Sequence, residues 1–308
     1  MSIYSQSFKK SIIKNTNTSI GKIFRLINSK PKKILDVGCS TGYFGEVLKK
    51  TFEAKVDGIE INKKDYLKAT RVLDEVYNLN IDIPGWTKHV NEKKYETIIF
   101  ADVLEHTSNP KKVLEETKQI LSKNGEVLIS VPNITHQSVI IELICGQWNY
   151  TNSGILDKTH LRFFDQNGII ELIEKTGLYI KEIDGVISIL PDEFISKLLK
   201  KNGLKLTPEI AKIIHKNSAN IFQHVIKASV TKPADYKSFQ NKEIIINPVY
   251  DWIDNYKIQQ DLFNNQQKQL EELINNKGNA LLLTHELFIL LKNEIIKKIY
   301  SHKTISNE

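Results

Sequence analysis

Four acids stand at or just after the carboxyl ends of apolar, β-prone runs: Asp36 in "KKILDV", Glu60 in "KVDGIEI", Asp82 after "VYNLNI" and Asp102 after "YETIIFA". A single acid in such a place commonly caps the next helix. Four in register around a glycine turn point instead to a ligand. The turn, "DVGCSTG", sets Gly38, Ser40 and Gly42 two residues apart. Glu60 lies 22 residues after Gly38, the interval of a carboxylate that accepts both hydroxyls of a ribose. A hydrogen bond to a charged group of this kind contributes about 1.5 to 3 kcal/mol. A nicotinamide dinucleotide would use Glu60 equally well, but Asp36 would set like charge against its pyrophosphate and suits a cationic ligand better. The G-x-G-x-x-G frame from Gly38 also fails, because Tyr43 stands where glycine or alanine is required. The frame Ser40, Gly42, Gly45 replaces the first glycine with serine. These residues together suit a cationic nucleoside.

The elements that must position the acids alternate. Strands are expected at 32–37, 55–61, 76–81, 95–101, 126–131, 178–184 and 220–229, and helical patterns separate the first five. The clearest helix is "NPKKVLEETKQILSKNG" at 109–125, where Asn109 can cap, Pro110 can start and Gly125 can stop it. Strands alternating with helices imply parallel pairing through right-handed crossovers, and so an α/β, Rossmann-like doubly wound sheet. Ligands of such sheets sit beyond the carboxyl ends of the strands, which is where the four acids lie.

Composition sets wider bounds. The chain has 308 residues, 41% of them hydrophobic, enough for a sizeable core plus an appendage. No uninterrupted apolar run approaches the roughly 18 to 20 residues of a membrane span, and the N-terminus lacks the apolar core of a secretory signal. A cytoplasmic protein with reduced thiols is expected, since Cys39 and Cys145 lie far apart without metal-ligand spacing. Residues 1–33 carry eight lysines and arginines and no acid, against a chain total of +7, so the remainder sums to −1. Such an arm can meet nucleic acid, a phosphorylated substrate or an anionic membrane surface. Ile20, Ile23, Phe24 and Ile27 recur at helical spacing, so the arm reads first as a helix with a solvated lysine face. It lacks the aromatic interleaving and arginine of a nucleic-acid surface.

"ILDVGCSTGYFGEVL", "VDGIEIN", "IIFADVLEH" and "VLEETKQILSKNGEVLISVPN" together resemble the class I S-adenosylmethionine-dependent methyltransferases over about residues 30–230. The resemblance implies a seven-stranded sheet with the last strand antiparallel and S-adenosylmethionine as cofactor. It places Asp36, Gly38, Ser40 and Gly42 around the methionine part, Glu60 at the ribose, Asp82 and Ile83 beside the adenine, and Ala101 and Asp102 at the pocket border, with Ile61 also among the cofactor-binding residues. Three segments are then expected: a basic helical arm at 1–30, the methyltransferase domain at 31–232 and a helical extension at 233–308.

The acceptor is a separate inference. The connection from "SVPN" to "FFDQNG" is long and holds Trp148, Tyr150, Phe163 and Phe164 among polar groups, with His160 and Arg162. Long insertions at strand ends usually serve function, and aromatic faces beside hydrogen-bonding groups suit a sugar or another ring. "DKTHLRFFD" also resembles methyltransferases encoded among bacterial glycan and cell-surface polysaccharide enzymes. A small-molecule or glycan hydroxyl is therefore the expected acceptor, with His160 as its general base, His106 structural, and Trp148, Tyr150 and Arg162 on the substrate. Arg162 could equally pair with Asp157 or Asp165. No histidine–carboxylate set has metal spacing in the sequence, so no metal is expected. The last 75 or so residues read as two helices with heptad spacing at Tyr256, Phe263 and Leu270 and at Leu281, Phe288 and Ile295, a candidate homodimer contact. Two alternatives stay open: a nucleic-acid methyltransferase using the basic arm, and a catalytically silent assembly module of the same fold.

Overall fold

The computed structural model describes residues 17–90, 94–244 and 246. The heptad-patterned helices expected beyond residue 246 lie outside the described residues. The chain divides into two compact units. Among the described residues, the first is built from 17–136, 159–188 and 216–246, and the second includes 137–158 and 189–215.

The first unit holds one seven-stranded sheet. Its strands are β1 (Lys33–Val37), β2 (Lys55–Ile59), β3 (Val76–Tyr77), β4 (Tyr95–Ala101), β5 (Leu121–Pro132), β6 (Tyr179–Ile187) and β7 (Ile221–Ser229). Their spatial order is β3-β2-β1-β4-β5-β7-β6, with β7 antiparallel to both β5 and β6 and the other pairings parallel. The winding reverses between β1 and β4, so the carboxyl ends of those two strands border the crevice where such sheets bind ligands. β1, β4 and β5 are buried on both faces: Ile34, Leu35, Ile98, Ile99 and Ile129 are fully inaccessible. This is why each reads as a near-continuous apolar run.

Two expectations change on folding. The third strand pairs only at Val76 and Tyr77, because it is the sheet edge and meets only β2. The helix after Asn109 ends at Ile120 and Gly125 lies inside β5. A Cβ at Gly125 would come within 2.7 Å of Leu121 Cγ and 2.9 Å of the Tyr95 carbonyl, so the glycine answers to close strand packing. Asn109 caps as expected, its side chain accepting from Lys112 N. The described part of the basic arm forms helix α1 (Ser19–Leu26), which groups with the first unit. Its Ile23 and Leu26 join Ile34, Phe44, Ile99, Leu128 and Val225 in one core cluster. Residues 233–244 likewise stay with the first unit, clasped by Glu174, which accepts from Tyr236 Oη at 2.6 Å and Ser238 Oγ at 2.7 Å.

The second unit has its own small core. Helices Gln137–Ile144, Asp192–Lys201 and Pro208–Ile214 pack Ile141, Phe194, Ile195, Leu198, Leu199 and Ile214 together. The chain thus interrupts the sheet unit twice, after β5 and after β6.

Candidate active site

The turn after β1 is built by backbone. Gly38 N and Cys39 N both donate to the Ile59 carbonyl, at 2.8 and 3.0 Å, which ties the turn to the end of β2. Gly38, Ser40 and Gly42 all take left-handed backbone, at φ of 73°, 49° and 79°. A Cβ on Gly38 would fall 2.6 Å from Val103 Cγ2, and one on Gly42 2.7 Å from Val72 Cγ2. Only glycine meets both the torsion and the packing there.

Glu60 and Asp36 face each other at this turn. Glu60 accepts from Ser40 N at 2.8 Å and Asn62 N at 2.7 Å, which fixes its carboxylate at the turn. Asp36 is 3% exposed, and burial, then the Glu60 charge, lifts its carboxyl to about 7. Two buried carboxylates in electrostatic contact are a costly arrangement that a cation relieves. This observation tests the fit of a cationic, ribose-bearing cofactor, and the residues present pass it. Asn78 Nδ2 donates to the Glu60 and Ile61 carbonyls. Ile61 and Ile83 are 64% and 60% exposed, apolar surfaces available to a flat ring.

Asp82 has a partner within the protein. Its carboxylate accepts from Ser108 N at 2.9 and 3.0 Å, so it braces the loop after β4. Asp102 also sits in left-handed backbone, φ 56°, which costs a residue with a Cβ roughly 1–2 kcal/mol. Hydroxyls hold both of its oxygens: Ser130 Oγ donates to Oδ1 at 2.8 Å and Ser19 Oγ to Oδ2 at 3.1 Å. Ala101, opposite Ser130 in the β4–β5 register, is half-buried beside it.

A short turn at Leu104–His106 follows. The Glu105 carbonyl accepts from Leu161 N at 2.8 Å and Arg162 N at 3.0 Å, which draws the 160–162 segment against the turn. The rings of His106 and His160 therefore meet edge to face at 4.8 Å. His106 Nδ1 lies 3.3 Å from the Thr159 carbonyl. Among the described residues, Glu105, His106 and His160 each place a potential ligand atom within 4.8 Å of the others, a donor set that a divalent ion such as zinc accepts. Sequence spacing does not reveal this grouping, because two of its residues are adjacent and the third is more than fifty positions away. Arg162 pairs with neither Asp157 nor Asp165 among the contacts seen; its guanidinium donates to the Ser108 and Leu161 carbonyls. Phe164 is 8% exposed and belongs to the main core, so it forms no substrate wall. Trp148 and Tyr150 lie in the second unit, 41% and 60% exposed, their rings edge to face at 6.2 Å.

Sequence reasoning missed Ser19 and Ser130. Neither carries a motif; only the β4–β5 register and the docking of α1 bring them to Asp102.

With this geometry in place, comparison with known proteins adds the following. A family model described as "Methyltransferase domain" matches residues 14–209. The "Ubiquinone biosynthesis O-methyltransferase" of Pelagibacter ubique (strain HTCC1062) is 24% identical over 180 residues, covering 56% of this chain and 74% of that protein. The protein of the same name from Hydrogenovibrio crunogenus is 26% identical over 161 residues, covering 50% and 65%. A solved structure described as a SAM-dependent methyltransferase from Archaeoglobus fulgidus aligns with TM-score 0.46 and 16% identity, covering 73% of this chain and all of that one. Among the described residues no helix is long and apolar enough to cross a membrane.

Proposed function

The chain belongs to the class I S-adenosylmethionine-dependent methyltransferases, and on that premise we propose that it methylates a hydroxyl group of a small molecule, with His160 as the general base. One observation carries the choice of oxygen: the matched relatives are named O-methyltransferases. Those relatives are 24–26% identical over about half of this chain, so the identity of the acceptor belongs to the proposal. The glycan leaning of "DKTHLRFFD" has no counterpart among them.

When bound, S-adenosylmethionine supplies a methyl carbon already activated by the sulfonium. The chain's own residues do the rest. Glu60, fixed by Ser40 N and Asn62 N, is the ribose acceptor; Asp36 offers negative charge to the cationic end; Ala101 and Asp102 border the pocket. Alignment of donor and acceptor can contribute about 7 to 11 kcal/mol in favourable cases. A hydroxyl acceptor must also lose its proton, for which His160 stands against His106 at the edge of the β4 loop. A positioned base adds roughly 10² to 10⁴ in rate.

The His160→Ala variant is expected to lose about 10² to 10⁴ in kcat, with calorimetric affinity for S-adenosylhomocysteine unchanged. An unaltered rate removes His160 as the base. The proximity of Glu105, His106 and His160 favours a second mode for the same residues, a divalent cation that lowers the pKa of the acceptor hydroxyl. Chelation separates the two: the base reading expects full activity after EDTA, the cation reading a loss restored by added metal. A methyl-transfer assay across phenolic and sugar hydroxyls identifies the acceptor class.

A further inference from the structure

The described part of the basic N-terminal segment enters the fold as a helix that lies on the sheet. α1 packs on β4, β5, β6 and β7 and is anchored at the end of β6 by side chains from three consecutive turns of chain. The Asn17 amide donates to the Ile187 carbonyl and accepts from Ile187 N, both at 2.9 Å. Lys22 Nζ reaches Asp184 at 2.8 Å, and Arg25 takes the other oxygen of the same carboxylate. Thr18 caps the helix by accepting from Gly21 N. With the cap thus filled by Thr18, the Ser19 hydroxyl is directed away from its own helix and donates to Asp102 Oδ2, 83 positions along the chain.

We infer that Ser19 is a positioning residue of the cofactor site, acting through Asp102. The inference rests on the reading that the glycine turn and the end of β4 hold S-adenosylmethionine. Asp102 is the hinge between them: Ser130 holds its first oxygen and its backbone N–H, Ser19 holds its second oxygen, and Val103 beside it packs where Gly38 has no side chain. Removing the Ser19 hydroxyl releases one side of this clamp. The strained left-handed backbone at Asp102 then loses a restraint, and the strand end that borders the pocket is less well ordered for binding. The charged arm noticed in the sequence thereby acquires a role within the molecule, as the support that carries Ser19 to the site.

The test is calorimetric titration of the full chain with S-adenosylhomocysteine, for the natural protein and for Ser19→Ala, Ser19→Thr, Asp102→Ala and the Ser19→Ala/Asp102→Ala double variant. Loss of one hydrogen bond to a carboxylate predicts affinity weaker by at most about 10- to 150-fold for Ser19→Ala, with threonine restoring it to within about twofold. In the Asp102→Ala background the Ser19 change is expected to add nothing, the signature of action through Asp102. The thermal midpoint of ligand-free Ser19→Ala should fall by only a few degrees, leaving the variant folded. Unchanged affinity in Ser19→Ala, or an equal loss with and without Asp102, overturns the inference while leaving the function intact. A natural protein that fails to bind S-adenosylhomocysteine overturns the functional reading itself.

Discussion

Burial and the adjacent Glu60 lift the Asp36 carboxyl to about 7, which ties cofactor binding to pH. Below that value Asp36 holds a proton, and a cationic ligand must displace it to gain the full attraction of the pair. Affinity for S-adenosylmethionine should therefore rise from pH 6 to pH 8, by about tenfold for each unit below 7, and level off above. Asp36→Asn should flatten that profile and weaken binding at pH 8. A pH-independent dissociation constant in the natural protein would show that Asp36 does not face the cation. Asp36 itself was legible in the sequence, because a carboxylate ahead of a glycine turn conflicts with a phosphate on electrostatic grounds alone. What Asp82 does was not, since its partner is the backbone of Ser108, which only the packing of two loops brings into reach.

Elements of the sheet unit place two imidazoles where they must stay neutral. His136 follows β5, stacks edge to face on Phe222 at 5.2 Å and sits 2.9 Å from the Ser188 carbonyl. His224 lies within β7, between Val131 of β5 and Gly185 of β6, and neither of its ring nitrogens has a hydrogen-bond partner among the described residues. Burial lowers both from an ordinary 6.5 to about 4. The unfolded chain takes up these protons below pH 6.5 while the native state refuses them until about 4, so the stability they confer is complete above 6.5 and lost as pH falls. Asp36 acts in the opposite sense, since the native state keeps a proton that the unfolded chain has released. Two groups outweigh one, and the net proton implies stability falling by about 1.4 kcal/mol for each unit of acidification between 6.5 and 4. Urea denaturation at pH 5 and pH 7 measures this. A flat profile would refute it, and His224→Phe should reduce the slope. The strands that carry these residues were readable from apolar runs, and β4 matches its expected bounds from Tyr95 to Ala101. The third strand and the end of the helix after Asn109 were misjudged, because strand length at a sheet edge and helix termination at Ile120 depend on neighbours rather than on local residue type.

In the molecule as a whole, the N-terminal charges are partly absorbed by the fold. Lys22 is 3% exposed, and burial lowers its pKa while Asp184 opposes that effect. Removing one partner of a buried pair leaves the other uncompensated and costs about 3–5 kcal/mol when no substitute is near. Asp184→Ala strands the buried Lys22 and should approach that range. Lys22→Ala leaves Arg25 on Asp184 and should cost less, about 2 kcal/mol. Chemical denaturation of both variants checks the order, and equal losses would mean that α1 is not held by this carboxylate. The amino-acid sequence by itself determined the alternation of strands and helices, the runs that become strands and the carboxylates at their ends. These follow from local hydrophobic period and from the chemistry of single residues. Tertiary structure alone decided that His160 meets His106 and Glu105, that Ser19 and Ser130 grip Asp102, and that the basic arm is partly built into the core. Each of those contacts joins residues tens of positions apart, and spacing along a chain carries no information about a meeting that depends on how the elements pack.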